Sequence, residues 1–146
     1  MVEGVARADE GRAEVRAYLG TYTSWEGGGT GLGLGAYDPG TGALRVTGVV
    51  PDVPNPSFVI DAGRRVYVVN EQADGAVTAL AVGADGVPEV LGSRSTGGSD
   101  PCHLALHRGF LLSANYGSGS VAVHPVLPDG GLGARTDLVA HQGAGP

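Results

Sequence analysis

"SDPCHLALHRGFLLSANYGSGSVAV", Ser99 to Val123, holds two short apolar runs, "HLALH" and "FLLSA", joined by Arg108-Gly109. A polar Asn115-Tyr116 corner follows, then a Gly/Ser turn, then a third run, "SVAVHPV". Apolar segments of this length between turn residues read as antiparallel strands in succession. The stretch "NPSFVIDAGRRVYVVNEQADGAVTAL", Asn55 to Leu80, has the same parts in the same order. Pro56 and Pro101 stand 45 residues apart, as do Asn70 and Asn115, and Pro101 and Pro146. A repeat of about 45 residues with four strands per unit is the signature of a propeller blade.

The composition agrees with many short strands. The chain has 146 residues, one domain by length, and 27 of them are glycine. The glycines fall between the apolar runs, where turns need them, and follow no Gly-X-Y period. Aromatic residues are scarce, so the core must be built mostly from Val, Leu and Ala. A net charge of −6 argues against a nucleic-acid partner. All nine basic residues are arginine, which excludes a Schiff-base lysine and a Walker-type phosphate loop within this sequence. Cys102 is the single cysteine, so no internal disulfide forms, which fits a reducing compartment. We expect it to act as a small buried hydrophobe. Residues 1–17 lack the apolar segment of a secretory signal. No stretch reaches the roughly 20 apolar residues of a membrane helix. These features predict a cytoplasmic protein with no membrane partner.

Residues 1–14 are charged and unpatterned, and are expected to form a disordered or weakly structured tail. Residues 15–146 are expected to be all-β, a partial β-propeller in three blades over 15–54, 55–99 and 100–146. The first blade offers "VRAYLGTYT", "LGLGAYDP" and "ALRVTGVV", and so lacks its inner strand. The second offers "SFVID", "RVYVVNE", "AVTALAV" and "VLGSRST"; the third offers "CHLAL", "FLLSAN", "SVAVHPV" and "TDLVAH". In "RVYVVNE", Val66 and Val68 occupy one alternation and Tyr67 and Val69 the other. A strand apolar on both faces is covered on both, and neighbouring blades supply that cover in a propeller. Propellers close a ring of typically about four to eight blades. The three units are therefore expected to be the N-terminal part of a longer protein, or a truncated gene product. A four-strand single sheet folding alone into some other small β domain is the alternative.

Strand direction locates the chemistry. The start of each unit's first strand and the end of its second share one face of a propeller. That face receives Asn55, Asn70 and Glu71 from the second unit, and Asp100, Cys102, His103, Asn115 and Tyr116 from the third. His141 reaches it where the third unit ends. The opposite face receives Ala62-Gly63-Arg64-Arg65 and Arg108-Gly109, turn residues without clustered chemistry. The first set joins a carboxylate, an imidazole, amides and a phenol, which can orient a polyhydroxyl or carboxyl ligand. Glu71 or His103 can act as general base toward water. We take these two as candidate catalytic residues, and Asn55, Asn70, Asn115, Tyr116 and His141 as candidate substrate contacts. Plainer readings stay open. Asn70 and Asn115 recur at the repeat spacing, which also suits strand ends and turns. Glu71 and Tyr116 occupy matching positions with different chemistry, which a purely structural position would more often keep. His103 faces either the channel or the blade, and His141 either a ligand or solvent. His107 and His124 are expected on the surface. No spacing suggests a zinc site and no Gly-x-Ser-x-Gly elbow occurs, so no metal or cofactor is predicted.

At these residues the chain resembles a known family. "YLGTYT" (18–23), "NPSF" (55–58), "YVVNE" (67–71), "DPCH" (100–103), "ANYGSGSV" (114–121) and "HQGAGP" (141–146) resemble, in order, motifs of the bacterial 6-phosphogluconolactonases of the seven-bladed propeller type. Fungal carboxy-muconate lactonising enzymes are similar. The resemblance implies a seven-bladed propeller of roughly twice this length or more. It implies metal-free hydrolysis of 6-phosphogluconolactone to 6-phosphogluconate, or of another sugar lactone, a small-molecule substrate. It also implies that arginines holding the substrate phosphate, and the main catalytic groups, follow "GAGP". One wall of the cleft would then map here: Glu71, His103, Asn115, Tyr116 and His141. Activity of this stretch alone is expected to be slight. Two other functions compete: a non-catalytic propeller that binds a ligand or protein on the same face, and a lactonising isomerase of dicarboxylates.

Overall fold

A computed structural model describes residues 13–143. The expected tail over 1–14 lies almost wholly outside the described residues, as does Pro146. The described residues form eleven strands and no helix, in three antiparallel sheets with strands in chain order. The first sheet contains β1 (Val15–Leu19), β2 (Gly31–Tyr37) and β3 (Leu44–Pro51). The second contains β4 (Val59–Asp61), β5 (Arg65–Asn70), β6 (Ala76–Val82) and β7 (Pro88–Ser95). The third contains β8 (Pro101–His107), β9 (Phe110–Asn115), β10 (Ser120–Pro125) and β11 (Asp137–Ala140). These are three blades of a β-propeller, the first without an inner strand.

Strand existence follows the sequence pattern, and strand ends follow local contacts. β1 stops at Leu19, short of the predicted Thr23, because the chain is drawn to the second sheet. Thr21 N–H donates to the Pro56 carbonyl at 3.1 Å. Gly20 allows that approach, since a Cβ there would lie 2.8 Å from the Pro56 oxygen. The β8–β9 turn places Arg108 at φ 46° and Gly109 at φ 81°. Two successive left-handed residues make the mirror-image turn whose twist suits a two-residue hairpin.

The alternation of β5 builds two cores. Val66 and Val68 pack with Leu32, Val50, Val53 and Leu80, between the first and second sheets. Tyr67 and Val69 pack with Val77, Ala79, Leu104, Leu111 and Leu132, between the second and third. Burying each Val or Leu is worth about 1.5–3 kcal/mol, so apolar stacking dominates the cohesion of the blades. Hydrogen bonds then fix their relation. Arg65 Nε, the Tyr67 hydroxyl and Arg94 Nε donate to the carbonyls of Asp129, Gly130 and Leu132, at 2.7, 2.8 and 2.9 Å. Three side chains of the second blade thus latch the β10–β11 loop of the third. His124 departs from its expected place on the surface. It is fully buried, with Nε2 at 3.1 Å from the Ser95 carbonyl, because β10 lies against the outer strand of the second blade.

Candidate active site

The same backbone bond recurs in both complete blades. Glu71 N–H, just after β5, donates to the Asn55 carbonyl at 3.0 Å, and Tyr116 N–H, just after β9, donates to the Asp100 carbonyl at 2.9 Å. Asn55 and Asp100 have φ of 41° and 51°. Asn and Asp are the non-glycine residues that tolerate this left-handed backbone best. The repeat therefore ties the start of each first strand to the end of its second, and so sets Glu71 and Tyr116.

Asn55 does more with its side chain. Its Oδ1 accepts from the N–H groups of Thr23 and Ser24, at 2.8 and 3.2 Å, and from the Thr23 hydroxyl at 3.3 Å. The Thr21–Ser24 segment of the first blade is thereby pinned to the second. Asn70 is buried, donating to the Pro54 carbonyl at 2.8 Å and accepting from the Thr78 hydroxyl at 2.6 Å. Asn115 is buried too and donates to Ser120 Oγ at 3.0 Å, while its Oδ1 has no partner. All three amides thus work inside the fold. Tyr116 stands out in solvent, 81% exposed. His141 is exposed at the outer edge of the third sheet, its N–H on the Gly119 carbonyl at 2.8 Å, and no described hydrogen bond joins it to Glu71 or His103.

The pinned segment supplies a residue that the sequence reading overlooked. Tyr22 stacks on Trp25, with centroids 4.4 Å apart, and its hydroxyl donates to Glu71 Oε2 at 2.9 Å. The Ser57 hydroxyl donates to the same oxygen. Both donors engage Oε2; among the described residues none reaches Oε1. The bond to Glu71 pushes the Tyr22 phenol above its ordinary range, with burial and the Glu71 charge adding to it and Cys102 contributing least. A signal for Tyr22 was present: it follows β1, a strand with two more to come in its sheet, as Glu71 follows β5 and Tyr116 follows β9. The missing inner strand of the first blade hides that equivalence in the sequence.

Cys102 is exposed rather than buried. The β8–β9 register slips between Pro101 and His103, so Cys102 is the extra residue of a bulge and leaves the strand alternation. His103 comes next, exposed, with its ring 4.6 Å from that of Phe58. Phe58 adjoins Ser57, so His103 of the third blade stands beside the residues that hold Glu71 of the second. The group can activate water with a carboxylate and donate protons from an imidazole and hydroxyls. Among the described residues no three His, Cys, Asp or Glu side chains come together as metal ligands.

A family model described as "Lactonase, 7-bladed beta-propeller" matches residues 16–146. The chain is 33% identical over 135 residues to a 6-phosphogluconolactonase of Bacillus subtilis, covering 88% of this chain and 38% of that protein. A solved structure from Bacteroides fragilis, provisionally named a 6-phosphogluconolactonase, superposes with a TM-score of 0.84 at 34% identity, covering 92% of this chain and 38% of the other. The periplasmic gluconolactonase of Pseudomonas aeruginosa superposes with a TM-score of 0.81 at 26% identity, covering 90% and 39%. The chain thus spans less than half the length of each of these relatives.

Proposed function

The chain belongs to the family of seven-bladed β-propeller lactonases, and on that premise we propose that it forms one wall of a cleft that hydrolyses a sugar lactone. The substrate in this reading is 6-phosphogluconolactone, opened to 6-phosphogluconate. One observation carries the assignment of roles: two hydroxyls hold Oε2 of Glu71, and no donor among the described residues engages Oε1. Oε1 takes a proton from a water molecule, whose oxygen attacks the ester carbonyl. The negative charge that develops on the carbonyl oxygen needs donors aimed at it. Collapse breaks the acyl bond to the ring oxygen, which then takes up a proton. His103 stands nearby as the donor. Tyr22 and Ser57 are positioning residues, because they act through Glu71. Tyr116 on the same rim contacts the sugar, and Asn55, Asn70 and Asn115 support the rim from within. A cytoplasmic site of action belongs to the same proposal.

The test is lactone hydrolysis by a complete seven-bladed propeller that carries this wall, and by its Glu71→Gln variant. Removing a general base costs about 10²–10⁴-fold in rate. The variant should lose that much in kcat while melting as the parent does. Its Tyr22 phenol should also ionise at lower pH, since the carboxylate that holds its proton is gone. Undiminished turnover by Glu71→Gln would overturn the role of Glu71. If 6-phosphogluconolactone is untouched while another lactone is opened, the named substrate is wrong.

A further inference from the structure

A second cleft, of about 530 Å³, lies between the second and third blades at the end of the sheets opposite Glu71. Arg64 and Arg65 line it from the β4–β5 hairpin, and His107 and Arg108 from the β8–β9 hairpin. Tyr67 and Val126 are among its apolar wall, and no carboxylate among the described residues lines it. Three of the nine arginines therefore gather in one cleft of a chain whose net charge is −6. Among the described residues the one ion pair within 4.0 Å joins Arg45 to Glu14, on the first sheet. The guanidiniums of the cleft have no such partner.

Two of them carry signs of a built site. Arg65 Nε donates to the Asp129 carbonyl at 2.7 Å and Nη1 to the Arg64 carbonyl at 2.8 Å. Its stem lies across Gly130, where a Cβ would sit 2.0 Å from Nε. A guanidinium fixed in advance loses little further freedom when it binds. Arg108 holds φ 46°, a backbone that strains arginine and suits Asn or Gly. The two-residue hairpin turn requires that φ, and it fixes the Arg108 backbone beside the cleft.

We propose that this cleft binds a small molecule carrying an oxyanion, phosphate or carboxylate, on an apolar body. Guanidinium forks match either oxyanion, and the apolar wall receives the body. Every described lining residue belongs to the second or third blade. The cleft stands apart from the lactone-opening rim and from any reading of that rim.

The experiment titrates the protein with phenyl phosphate, benzoate and inorganic phosphate at low salt, read by calorimetry and by amide shifts. Phenyl phosphate or benzoate should saturate with a Kd of about 0.1–1 mM. The tighter of the two identifies the oxyanion. Inorganic phosphate should bind at least about tenfold more weakly. The double variant Arg64→Gln, Arg108→Asn should lose about tenfold or more. Asn accepts the left-handed turn, so this loss would not come from unfolding, and a melting curve checks it. Lactone hydrolysis should not change. The proposal falls if neither organic anion saturates, or if the double variant binds as tightly as the parent. Equal affinity for inorganic and phenyl phosphate would overturn the apolar part.

Discussion

At the scale of single residues, His124 shows how a buried group gives the fold a pH dependence. Burial, the leading cause, holds its imidazole below the ordinary value of 6.5, against a raising bond to Ser95; Arg135 and Arg94 also favour the neutral ring. The unfolded chain takes up a proton near that ordinary value, while the folded chain resists. Below about pH 6.5 the unfolded state therefore binds more protons, and stability falls as pH falls. The slope from one such group cannot exceed about 1.4 kcal/mol per pH unit. Urea denaturation between pH 7.5 and 5.5 should show the decline, and His124→Gln should flatten it by up to that amount. Equal slopes in parent and variant would refute the account. His124, Cys102 and Tyr22 are also where sequence reading was weakest. Burial of His124 depends on a strand of the preceding blade, and exposure of Cys102 on a bulge. The role of Tyr22 depends on a loop that Asn55 pins from 32 residues away. The contacts of His124 and Tyr22 lie far along the chain, and the bulge at Cys102 interrupts an alternation that the sequence itself continues.

At the scale of elements, the order of strands was legible throughout, because apolar runs and turn residues alternate without a break. "AVTALAV" and "FLLSAN" coincide with β6 and β9 residue for residue. The two-sided cover of β5 was legible as well, since its alternation is apolar twice over. The latch between blades was not. Nothing in "RVYVVNE" or "VLGSRST" announces that Arg65, Tyr67 and Arg94 reach carbonyls 38 to 64 residues on. Tyr67→Phe keeps the ring in its core and deletes the bond to the buried Gly130 carbonyl. A lost hydrogen bond of this kind costs about 1–2 kcal/mol. The urea midpoint should fall accordingly with an unchanged m-value. A midpoint that does not move would mean that stacking alone holds the loop.

At the scale of the molecule, the third blade has two unlike faces. Leu104, Leu111, Ala122 and His124 are buried toward the second blade. On the other alternation Ala105, Leu112 and Val123 form one cross-strand row, and Ala114, Val121 and Val139 the next. These six are half-buried or exposed. A row of apolar side chains on a flat sheet is the surface on which another blade stacks, and in this family the ring has seven. Produced as the 146-residue chain by itself, the protein presents that surface to solvent. Exposed apolar sheet faces drive association. Sedimentation velocity should therefore show self-association at tens of micromolar, and Val121→Lys should reduce it. The same substitution leaves both cores intact, because Val121 belongs to neither. A monomeric parent chain, or association indifferent to Val121→Lys, would show that this face is not where the next blade belongs.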